Sequence, residues 1–221
     1  MVAFDKSKTL IIKGLAILML LFHHLFLVKE RLDVNGVDFS QETYAHMYKY
    51  VVQARICVWI FVFLSAYGMA KQIDMKGQSF LKYAVLRWIN LMKQWWITML
   101  LMLLLYGIFA GNLFDYYNHS VKLFILDFVE WNDFFDYPRI LGSWYICFTQ
   151  ILIIVFPVVY CFCKKFCYLS LPIFFILMQF CPDGIVSTGG GSYMQYIPTF
   201  IGGGVFGANR LVRSVAEEDE K

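Results

Sequence analysis

Charge is scarce in this sequence, and it forms no cluster typical of nucleic-acid binding. Only 16% of the 221 residues are Asp, Glu, Lys or Arg, and the formal net charge is +3. The basic residues are scattered through short segments, whereas nucleic-acid-binding proteins gather them in long cationic stretches. We therefore expect no nucleic-acid partner.

Several common motifs are also missing. The chain has no Gly-x-Ser-x-Gly elbow, no phosphate-binding Gly-Lys-Ser/Thr loop and no His-Glu-x-x-His helix. Cys161, Cys163 and Cys167 lack a neighbouring His and fit no zinc spacing, so we expect no metal site and interpret the six cysteines as buried free thiols. The apolar N-terminal run has no small-residue cleavage site, which favours a retained span over a signal peptide.

Apolar side chains dominate what is present. Hydrophobic residues make up 60% of the chain and aromatic residues 19%, against roughly 45–50% apolar residues in ordinary soluble domains. A helix needs about 20 residues to cross a bilayer, and the runs lack the alternation of barrel strands. The sequence predicts an all-α, polytopic transmembrane helical bundle in one membrane domain, residues 1–221. The predicted spans cover about 9–28, 55–71, 90–110, 143–163, 166–181 and 195–209.

The distribution of basic residues predicts the orientation of these spans. With a cytoplasmic N-terminus, 13 of the 19 Lys and Arg residues fall in inner segments and 6 in outer ones. Cytoplasmic loops carry the excess of Lys and Arg, so both termini are predicted to be inside. The outer loops, about 29–54 and 111–142, are predicted to fold over the membrane surface, and residues 121–135 alternate apolar and charged side chains as an interfacial helix does.

The first predicted span carries two ionisable side chains that a helix would align. Lys13 and His24 are eleven residues apart, which is three turns plus roughly 20°, and about 16 Å along the axis. A cation near the cytoplasm suits an anionic donor, and an imidazole, with an ordinary pKa of about 6.5, suits proton transfer near the outer side. The alternative is a snorkelling Lys13 and a His24 hydrogen-bonded to another helix.

Other candidate site residues lie near the predicted span ends. Arg87 precedes the third span and is a candidate for binding donor phosphates, although positive-inside topology explains it equally well. Arg55 begins the second span at its outer end, where it meets an acceptor or anchors at headgroups. Trp144 and Tyr145 lie at a predicted interface and are candidates for the acceptor side, or members of an aromatic belt.

Ordered segments along the chain resemble the integral membrane acyltransferase family 3, which includes O-acetyltransferases of bacterial surface polysaccharides. Lys13 and His24 occupy the positions of that family's basic residue and His in its first span. Further segments similar to the family are VWIFVFLSAYGMAK, FLKYAVLRWINLMKQWW, SWYICFTQILIIVFP and YIPTFIGGGVFGANR.

The resemblance implies a function and a set of roles. It implies an acyltransferase of the cell membrane, multi-pass, that moves an acyl group, in the first instance acetyl, from cytosolic acyl-CoA to a hydroxyl or amine of an extracytoplasmic glycan or glycolipid. Acetyl-CoA or another acyl-CoA is then a co-substrate, and no cofactor is bound. His24 would be the catalytic base or acyl carrier, and Lys13 a donor contact.

The chain also departs from the family pattern. Lys13 stands where the family usually has Arg, and Asn90 where it often has a second Arg. The family fold usually has about ten spans, so the chain is expected to be incomplete relative to it. These departures keep open a non-catalytic membrane component of glycan export or assembly, acting with a partner subunit.

Overall fold

A computed structural model gives the structure of the chain. It describes residues 6–29, 32, 36, 39–76, 79–109, 111, 117, 119–135, 137, 144–178, 187–188 and 191–208. The fold is all-α, as predicted. The helices are α1 (Lys6–Phe26), α2 (Gln41–Gln53), α3 (Ile56–Lys76), α4 (Phe80–Phe109), α5 (Val121–Val129), α6 (Trp144–Phe166), α7 (Ser170–Met178) and α8 (Ile197–Ala208), with 3-10 turns at Cys167–Leu169 and Tyr193–Tyr196.

Among the residues that the structure describes, four stretches are long and apolar enough to cross a membrane, judged by length and composition. They are Ser7–Phe26, Gln41–Ile73, Phe80–Phe109 and Trp144–Leu177. The second joins α2 to α3 through a turn at Ala54 and Arg55, so the predicted outer loop at 29–54 contains a helix. Ser40 caps the start of α2, because its side chain accepts a hydrogen bond from the Thr43 amide at 3.2 Å.

The fifth and sixth predicted spans form shorter helices. The chain turns at Cys167, whose φ is +48°, and α7 then continues for nine residues. The last part of that predicted span, residues 179–181, lies outside the described residues. The helix α8 has 12 residues and falls where the sixth span was expected. Between α7 and α8, residues 187–188 and 191–192 form two short antiparallel strands that pair with each other.

The chain divides into two compact units. The first comprises Met1–Lys71, Cys163–Leu171 and Pro198–Lys221, and the second comprises Gln72–Phe162 and Pro172–Ile197.

Close packing of α8 on α3 forms the core of the first unit. A Cβ atom added at Gly203 would lie 2.3 Å from the Phe63 carbonyl oxygen, and one at Gly207 would lie 2.6 Å from the Ala70 Cβ. Glycine is required at both positions, because only a residue without a side chain lets the two backbones approach this closely. Gly203 and Gly207 are four residues apart, the spacing of a small-xxx-small packing motif, and they have that role here.

The second unit packs α5 and the turn after it against α4 and α6. Its core contains Met92, Trp95, Met99 and Tyr117. The helix predicted at 121–135 forms only over Val121–Val129, and it ends because Glu130 adopts the left-handed conformation, with φ 58° and ψ 44°. The aromatic side chains that α5 contacts, Trp95 and Trp96, lie near the middle of α4, because α4 begins at Phe80 rather than near residue 90.

Candidate active site

Lys13 and His24 lie on one uninterrupted helix, as their proposed geometry requires. The helix α1 runs without a break from Lys6 to Phe26, so the two residues are separated by about 16 Å along its axis. Both side chains are exposed, and Ala16 is the only buried residue between positions 7 and 26. The pair therefore lies on a part of α1 that the other described residues do not cover.

The C-terminal end of α1 is fixed by α2. The Tyr44 hydroxyl donates to the carbonyl oxygens of Phe26 and Leu27, at 3.3 and 3.0 Å. Helix ends leave carbonyl groups without a helical partner, and here one phenol O–H is shared between the carbonyl oxygen of Phe26 and that of Leu27, the residue after the helix. The position of the last turn of α1, and of the histidines in it, is thereby determined by a contact with a neighbouring helix.

His23, the residue before His24, is held by a hydrogen bond to α2. Its Nδ1 lies 2.7 Å from the carbonyl oxygen of Val51, a fully buried residue of α2. A carbonyl only accepts, so Nδ1 carries the hydrogen and Nε2 is the basic nitrogen of the neutral ring. The His24 ring stands edge-on to the His23 ring, with centroids 5.4 Å apart. The structure thus places a fixed imidazole directly beside the His24 predicted from spacing.

Arg87 is half-buried on the first third of α4. Its guanidinium donates to the Tyr83 hydroxyl at 3.3 Å, and that hydroxyl donates to Gln72 Oε1 at 3.2 Å. This chain of hydrogen bonds restricts the Arg87 side chain to one direction. An arginine held in this way presents its remaining N–H groups in a fixed plane, which suits binding of a phosphate.

Trp144 and Tyr145 begin α6 and belong to an aromatic cluster. The Trp144 ring stacks near the rings of Tyr193 and Tyr196, with centroids 6.2 and 5.8 Å apart. The Tyr145 ring stands edge-on to that of Trp144 at 5.8 Å. Both residues are partly exposed, so each offers an aromatic surface to a ligand.

Arg55 and the histidines lie in the first unit, and Arg87, Trp144 and Tyr145 lie in the second. Arg55 is partly buried in the turn between α2 and α3. The catalytic, donor and acceptor roles of these residues stay predictions.

A buried polar group at the end of α5 was not recognised in the sequence. We call residues Asp127–Asp133 the acidic turn. Asp127, Glu130 and Asn132 are buried there, with exposed fractions of 0%, 2% and 1%. The Asn132 amide nitrogen donates to Asp127 Oδ1. Burial of acidic groups is costly, and left-handed backbone at a residue other than glycine adds to the cost, so such a segment is a candidate for function.

The last carbonyl groups of α5 each receive a side-chain donor. Trp95 Nε1 donates to the Asp127 carbonyl at 2.9 Å, Trp96 Nε1 to that of Phe128 at 3.0 Å, and Gln150 Nε2 to that of Val129 at 2.9 Å. The fully buried Gln150 also accepts at Oε1 from Trp88 at 2.8 Å and Trp131 at 2.9 Å. The acidic turn is therefore held rigidly between α4 and α6.

The sequence contains one residue that points to the buried polar group of the acidic turn. Gln150 is an isolated amide in the long apolar run of α6, where an amide side chain is expected to hydrogen-bond across helices. Its partners, however, lie 19 to 62 residues away in sequence, and spacing alone did not identify them.

The cysteines only partly match the expectation of buried thiols. Cys57, Cys147 and Cys163 are buried, and Cys161 and Cys167 are exposed; Cys181 lies outside the described residues. Among the residues that the structure describes, no group of three or more His, Cys, Asp or Glu side chains is arranged to hold a metal ion.

Comparisons with known proteins identify the family. The comparisons with curated proteins and with solved structures gave no match. A family model described as an acyltransferase domain matches residues 11–216, nearly the whole chain. Together with the apolar helices, this match shows a membrane protein with an acyltransferase domain. The chain belongs to acyltransferase family 3.

Proposed function

We propose that the chain is a multi-pass acyltransferase of the cell membrane. It moves an acyl group, in the first instance acetyl, from cytosolic acyl-CoA to a hydroxyl or amine of an extracytoplasmic glycan or glycolipid. The observation that carries the proposal is the family match over residues 11–216 on a chain whose first helix carries Lys13 and His24 without a break between them.

His24 serves as the base of this reaction. It takes the proton from the acceptor hydroxyl as the oxygen attacks the thioester carbonyl, so a C–O bond forms and the C–S bond breaks. The proton then passes to the departing sulfur, and the products are the ester and free coenzyme A. A positioned general base of this kind contributes about 10²–10⁴-fold to rate.

Lys13 and Arg87 serve as contacts for the donor. Acyl-CoA carries several negative charges on its phosphates, and a lysine supplies a compact positive charge while an arginine supplies a planar set of donors. Arg87 is directed by its hydrogen bond to Tyr83. On the acceptor side, the partly exposed Arg55, Trp144 and Tyr145 are the residues available for binding a glycan.

Transfer by isolated membranes tests the proposal. Membranes containing the chain are supplied with labelled acetyl-CoA and purified surface glycans, and label in the glycan is measured after acid precipitation. We expect transfer by the wild type and a loss of at least about 100-fold in His24→Ala. We expect wild-type transfer in Leu25→Ala, whose side chain is also exposed, at the next position of α1. Co-purification with a glycan synthase and no transfer would instead support the non-catalytic alternative.

A further inference from the structure

The acidic turn contains a buried acceptor atom that nothing in the described part of the chain satisfies. Asn132 Oδ1 has no hydrogen-bond partner there, although the exposed fraction of the residue is only 1%. Buried polar atoms are nearly always paired, and an exception needs an explanation such as a bound group. Because the Asn132 amide nitrogen contacts the Asp127 carboxylate, the unsatisfied oxygen belongs to the same buried group.

We propose that the acidic turn binds the hydroxyl groups of a sugar acceptor. The inference rests on the proposed function, since it identifies where the acceptor of acyl transfer is bound. A hydroxyl of the sugar donates to the partly exposed Asp133, and a second hydroxyl donates to Asn132 Oδ1 after the Asn132 side chain turns out of the covered position that it has in this structure. The amide oxygen of Asn132 and the carboxylate oxygens of Asp133 all accept hydrogen bonds.

The chemistry of the turn matches a hydroxyl-rich ligand. Asp133 is partly exposed and already accepts at Oδ2 from the Tyr193 hydroxyl at 3.0 Å. A carboxylate has room for further donors, since its two oxygens offer about four acceptor sites. The same Tyr193 hydroxyl lies 3.3 Å from the Trp144 carbonyl oxygen, which connects the turn to a residue already predicted for the acceptor side.

Aromatic rings beside the turn supply the apolar surface that a sugar ring needs. Trp131 contacts Phe134 and Phe135, with ring centroids 5.0 and 6.3 Å away. Phe134 is 47% exposed and Phe135 is 55% exposed. Ligand sites typically combine such apolar walls with a few fixed polar groups, and Gln150 fixes the Trp131 ring here.

Binding of simple glycosides in the absence of acyl-CoA tests this site. The full chain in nanodiscs is titrated with methyl glucoside, methyl galactoside and methyl N-acetylglucosaminide, and intrinsic tryptophan fluorescence is recorded. Cyclohexanol, which has an apolar ring and one hydroxyl, is the ligand control. We expect saturable binding of at least one glycoside and none of cyclohexanol.

Two variants and one control separate binding from folding. Asn132→Ala removes the unsatisfied acceptor, and Asp133→Asn keeps the shape and an acceptor for Tyr193 while removing the charge. We expect each to raise the Kd of the glycoside about tenfold, as loss of a buried hydrogen bond does. Gln94→Ala, an exposed position on α4, should keep the wild-type Kd, and thermal midpoints show which variants are folded.

The outcomes also separate this inference from the proposed function. Wild-type Kd values in a folded Asp133→Asn, with acyl transfer intact, would overturn the site and leave the acyltransferase standing. Glycoside binding that His24→Ala retains, and that Asn132→Ala or Asp133→Asn weakens, would support the site even in a preparation without transfer activity. No saturable glycoside binding by the wild type would overturn the inference.

Discussion

The Lys13 and His24 pair of the first unit and the acidic turn of the second unit expose their polar groups to very different degrees. In the first, Lys13 and His24 are exposed on α1, and Ala16 is the only buried residue between positions 7 and 26. In the second, Asp127, Glu130, Asn132 and Gln150 are each at most 2% exposed. The α1 pair is ordered by the helix that carries it, whereas the acidic turn is ordered by hydrogen bonds from other helices. Loss of a single hydrogen-bond partner should therefore affect the acidic turn far more than the α1 pair.

Replacement of Gln150 tests this difference most strongly. In Gln150→Leu the side-chain volume is similar, but two indole N–H groups and the Val129 carbonyl lose their partner. Each buried group left unsatisfied costs about 1–3 kcal/mol, so we expect a loss of about 3 kcal/mol or more in the free energy of unfolding. Denaturation in detergent micelles, followed by tryptophan fluorescence, measures it.

Gln94→Leu is the matched control for Gln150→Leu. Gln94 is exposed on α4, and we expect a change within about 0.5 kcal/mol. Equal stability of the two variants would show that the hydrogen bonds of Gln150 do not hold the acidic turn.

Replacement of Gly203 tests the backbone packing within the first unit, and we expect a smaller loss of stability than for Gln150→Leu. In Gly203→Ala the new methyl group would lie 2.3 Å from the Phe63 carbonyl oxygen, so α8 must move away from α3. We expect a loss of about 2 kcal/mol, typical of overpacking. Gly202→Ala is the control, because its added Cβ would meet its nearest neighbours at 4.0 Å. The same thermal shift in both variants would contradict the proposed close approach of α8 to α3.

Removal of the Tyr193 hydroxyl should give the smallest loss of stability, and it should also change how stability depends on pH. Tyr193→Phe removes the donor to Asp133 and Trp144, at a cost of about 1 kcal/mol near neutral pH. Burial raises the pKa of the Tyr193 phenol, so the folded state favours the neutral form. That stability is complete below the unfolded pKa of about 10 and is lost as the pH rises through the raised folded pKa.

Unfolding at alkaline pH measures this effect. Between about pH 9 and pH 11 the wild type should lose stability more steeply than Tyr193→Phe, which has no phenol to ionise at that position. Parallel curves for the two proteins would show that the buried phenol is not the group responsible.

The contrast between α1, which local helix formation orders, and the acidic turn, which hydrogen bonds from other helices order, explains what the sequence could predict. The all-α class, the continuity of α1 and the close packing at Gly203 and Gly207 follow from hydropathy and helical spacing, which act between residues close in sequence. The acidic turn was interpreted as an interfacial helix because its charges and aromatic residues alternate. Its burial depends on Trp95, Trp96 and Gln150, and each hydrogen bond joins residues 19 or more positions apart.

Helix length was the other feature that hydropathy did not determine. The apolar run from residue 166 onwards is long enough for the predicted span. However, its first residues form a turn, because Cys167 adopts the left-handed conformation and a 3-10 turn continues through Leu169, so the helix α7 begins only at Ser170. Backbone conformation at a single residue other than glycine has no clear signature in composition. The helix α2 is part of the predicted outer loop 29–54 because its sequence, QETYAHMYKYVVQ, contains no long apolar run, although Ser40 provides an N-cap for it.

Steady-state transfer by Lys13→Ala and His24→Ala, with labelled acetyl-CoA varied at a fixed glycan concentration, tests the central claim most directly. We predict that Lys13→Ala raises the KM for acetyl-CoA about tenfold with little change in kcat, because it removes binding of the donor. We predict that His24→Ala lowers kcat at least about 100-fold with little change in KM, because it removes the base. A wild-type kcat in His24→Ala would contradict the proposed mechanism.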